Sequence, residues 1–296
     1  MKLLIVGSKG QLGTELVLQS GLHESVSVDR DELDITDAVG VASFVSQACP
    51  DVVINAAAYT AVDKAESDRD MAFAVNRDGP ANLAKICSQK HIPLVHVSTD
   101  YVFDGSKVGA YGEFDPIAPL GVYGESKAAG EVMVREICPE HLILRTSWVF
   151  SAHGNNFVKT MLRLGAQRET LGVVSDQFGK PTSAAELAHV ILQILPMMNG
   201  CWGTYHLAQP EVTNWYGFAE QVFREARQQG LKLKISQLNG ISTEDYPTPA
   251  KRPSNSELDC MKLEAAFGVN IRPWKDSLAE VVRNLSGQER EGMENQ

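Results

Sequence analysis

Cysteine is sparse in this chain, and its placement has no pattern. Five residues (Cys49, Cys87, Cys138, Cys201, Cys260) are scattered over 296 positions, with no Cys-x-x-Cys and no even set. That argues against a disulfide framework, and free thiols suit a reducing cytoplasm. Long apolar runs are missing too. None reaches the ~18 residues of a membrane span. The first apolar run stops at Gly7, too early for a signal peptide. Basic residues are outnumbered, 27 Lys and Arg against 37 Asp and Glu, for a net charge of -10. This balance argues against a nucleic-acid or anionic-membrane partner but does not exclude a local basic pocket for a phosphorylated substrate. Repeats and low-complexity segments are absent, and the polar tail from Ser286 is expected to fray. What remains is an ordinary composition, long enough for one large or two modest domains.

The opening of the chain carries the first positive signal. Lys2 to Val6 reads as a buried parallel strand. Gly7-Ser-Lys-Gly10-Gln-Leu-Gly13 follows at once, and Thr14 to Gln19 looks helical. Strand, glycine turn and helix form the context of a dinucleotide site. Without Cβ atoms the turn lets backbone approach a pyrophosphate, and the helix N-terminus attracts its charge. The spacing is Gly-x-x-Gly-x-x-Gly. A second strand, Ser25 to Val28, ends at Asp29. An acid there bonds the adenosine ribose hydroxyls and favours NADH, whereas the next residue, Arg30, could accept a 2′-phosphate and favours NADPH. Leu33 to Thr36 then leads into a helix capped by Thr36, with Asp34 near the adenine or merely part of the helix start.

Asp51 to Asn55 is a third strand, running into Ala56-Ala57-Ala58-Tyr59-Thr60. These small residues allow close approach to a cofactor, or simply tight loop packing. Asp70 to Gln89 reads as helical, and Asn76 inside it needs partners if buried. Pro93 to Val97 is the fourth strand and delivers Ser98-Thr99-Asp100. Ligands bind beyond the carboxyl ends of parallel strands, so Thr99 is placed either to bond a substrate oxygen or only to close the strand. Tyr123 and Lys127 lie one turn apart on one face of a helix running to about Glu136. An ammonium beside a phenol lowers its pKa, which makes it a usable proton donor or acceptor. His141 to Arg145 is the next strand. Beyond it the strict alternation breaks down. The expectation is an α/β, Rossmann-type doubly wound parallel sheet with a smaller C-terminal α/β substrate domain, divided at 1-148 and 149-296 with segments that interleave.

With Gly7-x-x-Gly10-x-x-Gly13, Ser98-Thr99-Asp100 and Tyr123-x3-Lys127 in order, the chain resembles the extended short-chain dehydrogenase/reductase superfamily. Further stretches are similar to the dTDP-4-dehydrorhamnose reductase family: Asn55 to Glu66, Ser98 to Gly105, Arg145 to Val149, Gly154 to Phe157, Asp176 to Thr182 and Arg252 to Ser256. The resemblance covers about residues 2 to 285. It implies NADPH- or NADH-dependent reduction of the C4 ketone of a dTDP-keto-sugar. It also implies Gly10, Gln11 and Leu12 at the pyrophosphate, Asp29, Asp34 and Ile35 at the adenosine, and Ala58, Tyr59 and Thr60 along the cofactor. Tyr123 would be the proton donor, Lys127 would tune it and hold the nicotinamide ribose, and Thr99 would polarise the ketone. Asp100 and Trp148 would contact the sugar, with Asn156 and Arg252 at the nucleotide diphosphate.

Some members of that family form a dimer around a metal held by glutamates. Glu15 matches one such position. Ala185 and Asn284 stand at the others, with Glu186 beside the first. Too few carboxylates remain for a hard cation, so the expectation is no structural metal and a monomer or a different homodimer. Two other functions fit these residues: a reductase or epimerase on another nucleotide sugar, and a non-catalytic regulatory subunit with this fold.

Overall fold

Alternation within the apolar runs decides how the sheet is covered. In β1 (Lys2–Val6), Leu3 and Ile5 enter one hydrophobic core while Leu4 and Val6 enter another. Both faces are dry, as a parallel sheet flanked by helices requires. The computed structural model describes residues 1–294, with side chains through 287. Its main sheet also contains β2 (Glu24–Val28), β3 (Val52–Asn55), β4 (Leu94–Thr99), β5 (His141–Thr146) and β6 (Gly203–His206), in the order β2-β1-β3-β4-β5-β6. Every pairing is parallel.

Helices α1 (Gln11–Gln19), α2 (Ala38–Ala48), α3 (Gly79–Lys90), α4 (Val122–Ile137), α5 (Phe157–Gln167), α6 (Ala184–Ile194), α7 (Trp215–Gln228) and α8 (Trp274–Glu294) are the longer ones. Leu12 and Leu16 of α1 and Leu187 to Ile194 of α6 pack on the Leu3 face. Val41 and Val45 of α2, Leu83 to Cys87 of α3 and Val134 of α4 cover the other. The strand order reverses between β1 and β3, which opens a crevice at their carboxyl ends. Ala56 donates from its backbone to the Val6 carbonyl there, at 2.9 Å. A third core, around Phe150, Phe218 and Trp274, joins α5, α7 and α8 to a two-stranded parallel sheet of Thr170–Val174 and Gln237–Ile241. Residues after Trp148 therefore serve two cores: β6 and α6 complete the main sheet, and the rest builds this separate layer.

Local details depart from the sequence reading in three places. Asp37, not Thr36, caps α2 by accepting from the Val39 backbone at 3.1 Å, because Asp34 captures the Thr36 hydroxyl at 2.7 Å. The helical stretch before β4 is broken by a π turn at Ala74–Asp78, which carries Asn76. The last helix runs past Ser286. It continues to Glu294 with Ser286 buried, so the fraying expected from Ser286 does not occur up to there, and residues 295 and 296 lie outside the described residues.

Candidate active site

A cleft of about 1000 Å³ runs along the carboxyl ends of the strands. One end is built by the glycine turn. Gly7 has φ +83°, and a Cβ there would lie 2.6 Å from the Ala57 nitrogen. At Gly13 a Cβ would lie 2.0 Å from the Gly7 carbonyl oxygen. The turn is thus fixed by contact with α1 and with the β3 loop, and only glycine meets both demands. Gly7, Gly10, Gln11 and Leu12 line the cleft, while Gly13 lies buried beneath it. No side chain caps the first turn of α1, whose N-terminal residues Gly10, Gln11 and Leu12 line the cleft.

Asp29, Arg30, Asp34 and Ile35 line the next portion. The Asp29 carboxylate accepts from the Lys9 nitrogen at 2.9 Å and the Arg30 nitrogen at 2.7 Å, so it also orders the glycine turn. The Arg30 guanidinium is largely exposed and 3.8 Å from Asp34. Hydrogen bonds from Thr36 hold the Asp34 carboxyl below its usual range.

Ala58, Tyr59 and Thr60 form the wall off β3. Asn76 explains its shape. Its side-chain oxygen accepts from the Tyr59 nitrogen at 2.8 Å, and its amide donates to the Tyr59 carbonyl at 3.0 Å and the Ser126 hydroxyl at 3.0 Å. The π turn therefore clamps the β3 loop to α4, the helix bearing Tyr123. Glu66 accepts from the Val122 nitrogen at 2.9 Å and satisfies an otherwise orphan donor at the start of that helix.

Thr99, Asp100, Tyr123 and Lys127 meet in the middle of the cleft. Lys127 is buried and donates to the Val97 carbonyl at 2.7 Å, and burial brings its pKa down to about 8. The phenol of Tyr123 does not show the lowering expected beside an ammonium. Burial pushes it up to about 12, the Thr99 hydroxyl opposes the rise, and the Asp100 charge adds to it. At neutral pH the group therefore stays protonated, the state a proton donor needs. Thr99 donates to Asp100 Oδ1 at 2.9 Å. Asp100 Oδ2 is buried without a well-formed hydrogen bond, and burial lifts this carboxyl to about 6 against the pull of Ser256 and Thr99.

Trp148 lines the far end with φ +49°, in the left-handed region. Its indole lies flat on Trp215, ring centroids 3.6 Å apart, and a Cβ on Gly179 would strike it from behind at 2.6 Å. Packing on two sides holds this strained residue. The partner Trp215, at the start of α7, is a cleft residue that sequence reasoning passed over. Its place after the capping Asn214 was the available signal.

Two expected ligand contacts lie off the lining. Asn156 caps α5 and donates to Gln11 Oε1 at 2.9 Å, so it holds a cleft residue while Gly154 and Asn155 face the opening. Arg252 pairs with Asp63 at 2.9 Å and faces Tyr101. At the carboxylates weighed for a metal from the sequence, Glu15 is 3.6 Å from His153 and Glu186 is bonded to Arg272 at 2.7 Å. Among the described residues no group of three or more His, Cys, Asp or Glu could hold an ion, and no helix is long and apolar enough to cross a membrane.

Comparison with known proteins places this geometry in a family. The RmlD substrate binding domain profile matches residues 1–286. The dTDP-4-dehydrorhamnose reductase of Aggregatibacter actinomycetemcomitans is 45% identical, over 95% of this chain and 98% of its own. Its Escherichia coli K12 counterpart is 42% identical, over 96% and 98%. Among solved structures, the Bacillus anthracis dTDP-4-dehydrorhamnose reductase in complex with NADP superposes with a TM-score of 0.88 at 36% identity, covering 95% of this chain and 98% of that one. A Thermus thermophilus UDP-glucose 4-epimerase, at 19% identity and TM-score 0.81, shares the fold. The chain belongs to the RmlD family of dTDP-4-dehydrorhamnose reductases and is an oxidoreductase.

Proposed function

We propose that this protein reduces the C4 ketone of dTDP-4-dehydro-L-rhamnose to dTDP-L-rhamnose at the expense of NADPH or NADH, with Tyr123 as proton donor. The observation that carries the reading is one cleft joining the glycine turn to Thr99, Tyr123 and Lys127, in a chain that matches a reductase over 95% of its length.

The cradle suits a dinucleotide. Gly7 and Gly10 offer backbone without side chains, and the uncapped start of α1 suits a pyrophosphate. Lys9 and Arg30 put two exposed cations at the adenosine end, where a 2′-phosphate would sit. Bound there, the dinucleotide supplies the hydride. The chain's own residues do the rest. Tyr123 delivers a proton from its phenol to the oxygen that becomes the alcohol. Turned away from the Asp100 carboxylate to which it donates, the Thr99 hydroxyl donates toward the same oxygen and stabilises charge where it develops. Lys127 holds the ribose next to the reacting ring and balances the phenolate left on Tyr123. Asp100 and the Trp148–Trp215 stack position the sugar, and Gln11, braced by Asn156, holds the phosphates. In this reading residues 1-148 mainly hold the cofactor, 149-296 mainly the substrate, and the protein acts in the cytoplasm as a monomer or homodimer.

The test is oxidation of NADPH and NADH by the purified protein, with the keto-sugar generated in situ and the product identified by NMR. Oxidation yielding dTDP-L-rhamnose is expected, faster with NADPH if Arg30 meets the phosphate. Folded protein that oxidises neither cofactor, or that yields the C4 epimer, contradicts the assignment.

A further inference from the structure

Behind the cleft, α4 presents a third side chain on the face of Tyr123 and Lys127. Glu131 lies one turn beyond Lys127 and is completely buried. Its Oε1 accepts from the Ser98 hydroxyl at 2.6 Å and Arg145 Nε at 2.8 Å, and Oε2 accepts from Arg145 Nη2 at 2.7 Å and Arg135 Nη1 at 3.1 Å. Ser98 and Arg145 are partners on one rung of the β4–β5 pairing, and Thr99 and Thr146 form the next. One carboxylate thus fastens the helix to both strands, one residue behind the proposed site.

We infer that Glu131 is a positioning residue for the Tyr123–Lys127 pair: it anchors α4 to the β4–β5 rung and sets a carboxylate one helical turn from buried Lys127. This rests on the reaction assigned above. The charges around Lys127 support it. His96 on β4 is fully buried and its pKa lies well below the usual range, so it is neutral. Burial, and then Arg145 with its Nη1 3.4 Å away, pulls His206 on β6 down to about 3, so it is also neutral. Arg145 on β5 is a cation, and Tyr123 on the same helix is protonated. Burial lifts Asp100, after β4, only to about 6, so it is ionised where Lys127 titrates, and its charge bears on Tyr123. Glu131 itself is held ionised, chiefly by Arg145 against its burial, and it opposes the loss of the Lys127 proton.

The test is Glu131→Gln, with Lys127 followed by its 13Cε titration in the unliganded protein and assigned by its disappearance in Lys127→Met. The expected result is a fall in the Lys127 midpoint of about one unit, with the alkaline limb of kcat/KM moving by the same amount. Should Glu131→Gln fail to fold, the double variant Glu131→Met/Arg145→Met removes both charges of the buried pair and leaves only the partly exposed Arg135; a smaller downward shift is expected, because loss of the Arg145 cation opposes loss of the Glu131 charge. A midpoint that stays put in the folded variant, or a kcat/KM limb that stays put while the midpoint moves, would overturn the inference. The titration needs no substrate, so it separates a failure here from a failure of the proposed reaction.

Discussion

A carboxylate placed where water cannot reach it makes stability depend on pH, and Asp100 is such a group. Its pKa is about 6 in the folded protein against 3.8 in an exposed chain. The folded state therefore holds more protons between these values, and stability falls as pH rises through that window. The loss attributable to Asp100 is about 3 kcal/mol at most. Urea unfolding at several pH values is expected to show this decline in the wild-type protein and a flatter profile in Asp100→Asn. Equal slopes would mean that Asp100 titrates normally. The same physics marks a limit of sequence reading at this scale. Tyr123 and Lys127 were legible because the helix period puts them on one face. The direction of the Tyr123 shift was not, since the groups that meet the phenol, the Tyr101 ring, the Thr99 hydroxyl and the Asp100 charge, come from another segment. Trp148 was legible only through resemblance, and its stack on Trp215 joins segments with no shared pattern.

Elements position the site through contacts that tolerate no added atom. Gly124 of α4 faces the Tyr101 carbonyl, where a Cβ would come within 2.2 Å, and Gly130 faces the Asn76 carbonyl, where it would come within 2.0 Å. Both obstacles are backbone, so relief requires moving the helix. Gly124→Ala is expected to cost about 1–3 kcal/mol by thermal unfolding and to lower turnover more than cofactor affinity, because it shifts Tyr123. Unchanged turnover would show that the helix has more freedom than its packing indicates. Glu66→Ala removes the bond to the Val122 nitrogen, and a loss of about 1 kcal/mol is expected. The main-sheet elements were legible because strands buried on both faces give short apolar runs. The π turn at Asn76 and the cap at Asp37 were not, because both depend on which of several neighbouring polar groups wins a partner.

For the molecule as a whole, the two cores share one chain that crosses between them. β6 and α6 return to the main sheet after α5 has begun the second layer, so neither layer is a contiguous segment. A boundary at 148 was the simplest reading of a broken βα alternation, and sequence pattern could not show which later segments rejoin the sheet. The carboxylates weighed for a metal from the sequence are also engaged, Glu186 by Arg272 and Glu15 near His153. Prolonged dialysis against a chelator is accordingly expected to leave the melting temperature and the sedimentation coefficient unchanged. A chelator-dependent dissociation would reveal a bridging ion.

Proton delivery by one phenol is the centre of this account, and Tyr123→Phe tests it most directly. Single-turnover reduction of dTDP-4-dehydro-L-rhamnose should be measured beside the Kd for the dinucleotide. The expected result is a rate lower by about 10²–10⁴-fold with the Kd changed by less than about threefold, since the ring keeps its packing and loses only its hydroxyl. A variant that turns over at the wild-type rate would contradict the assignment of Tyr123 as the donor.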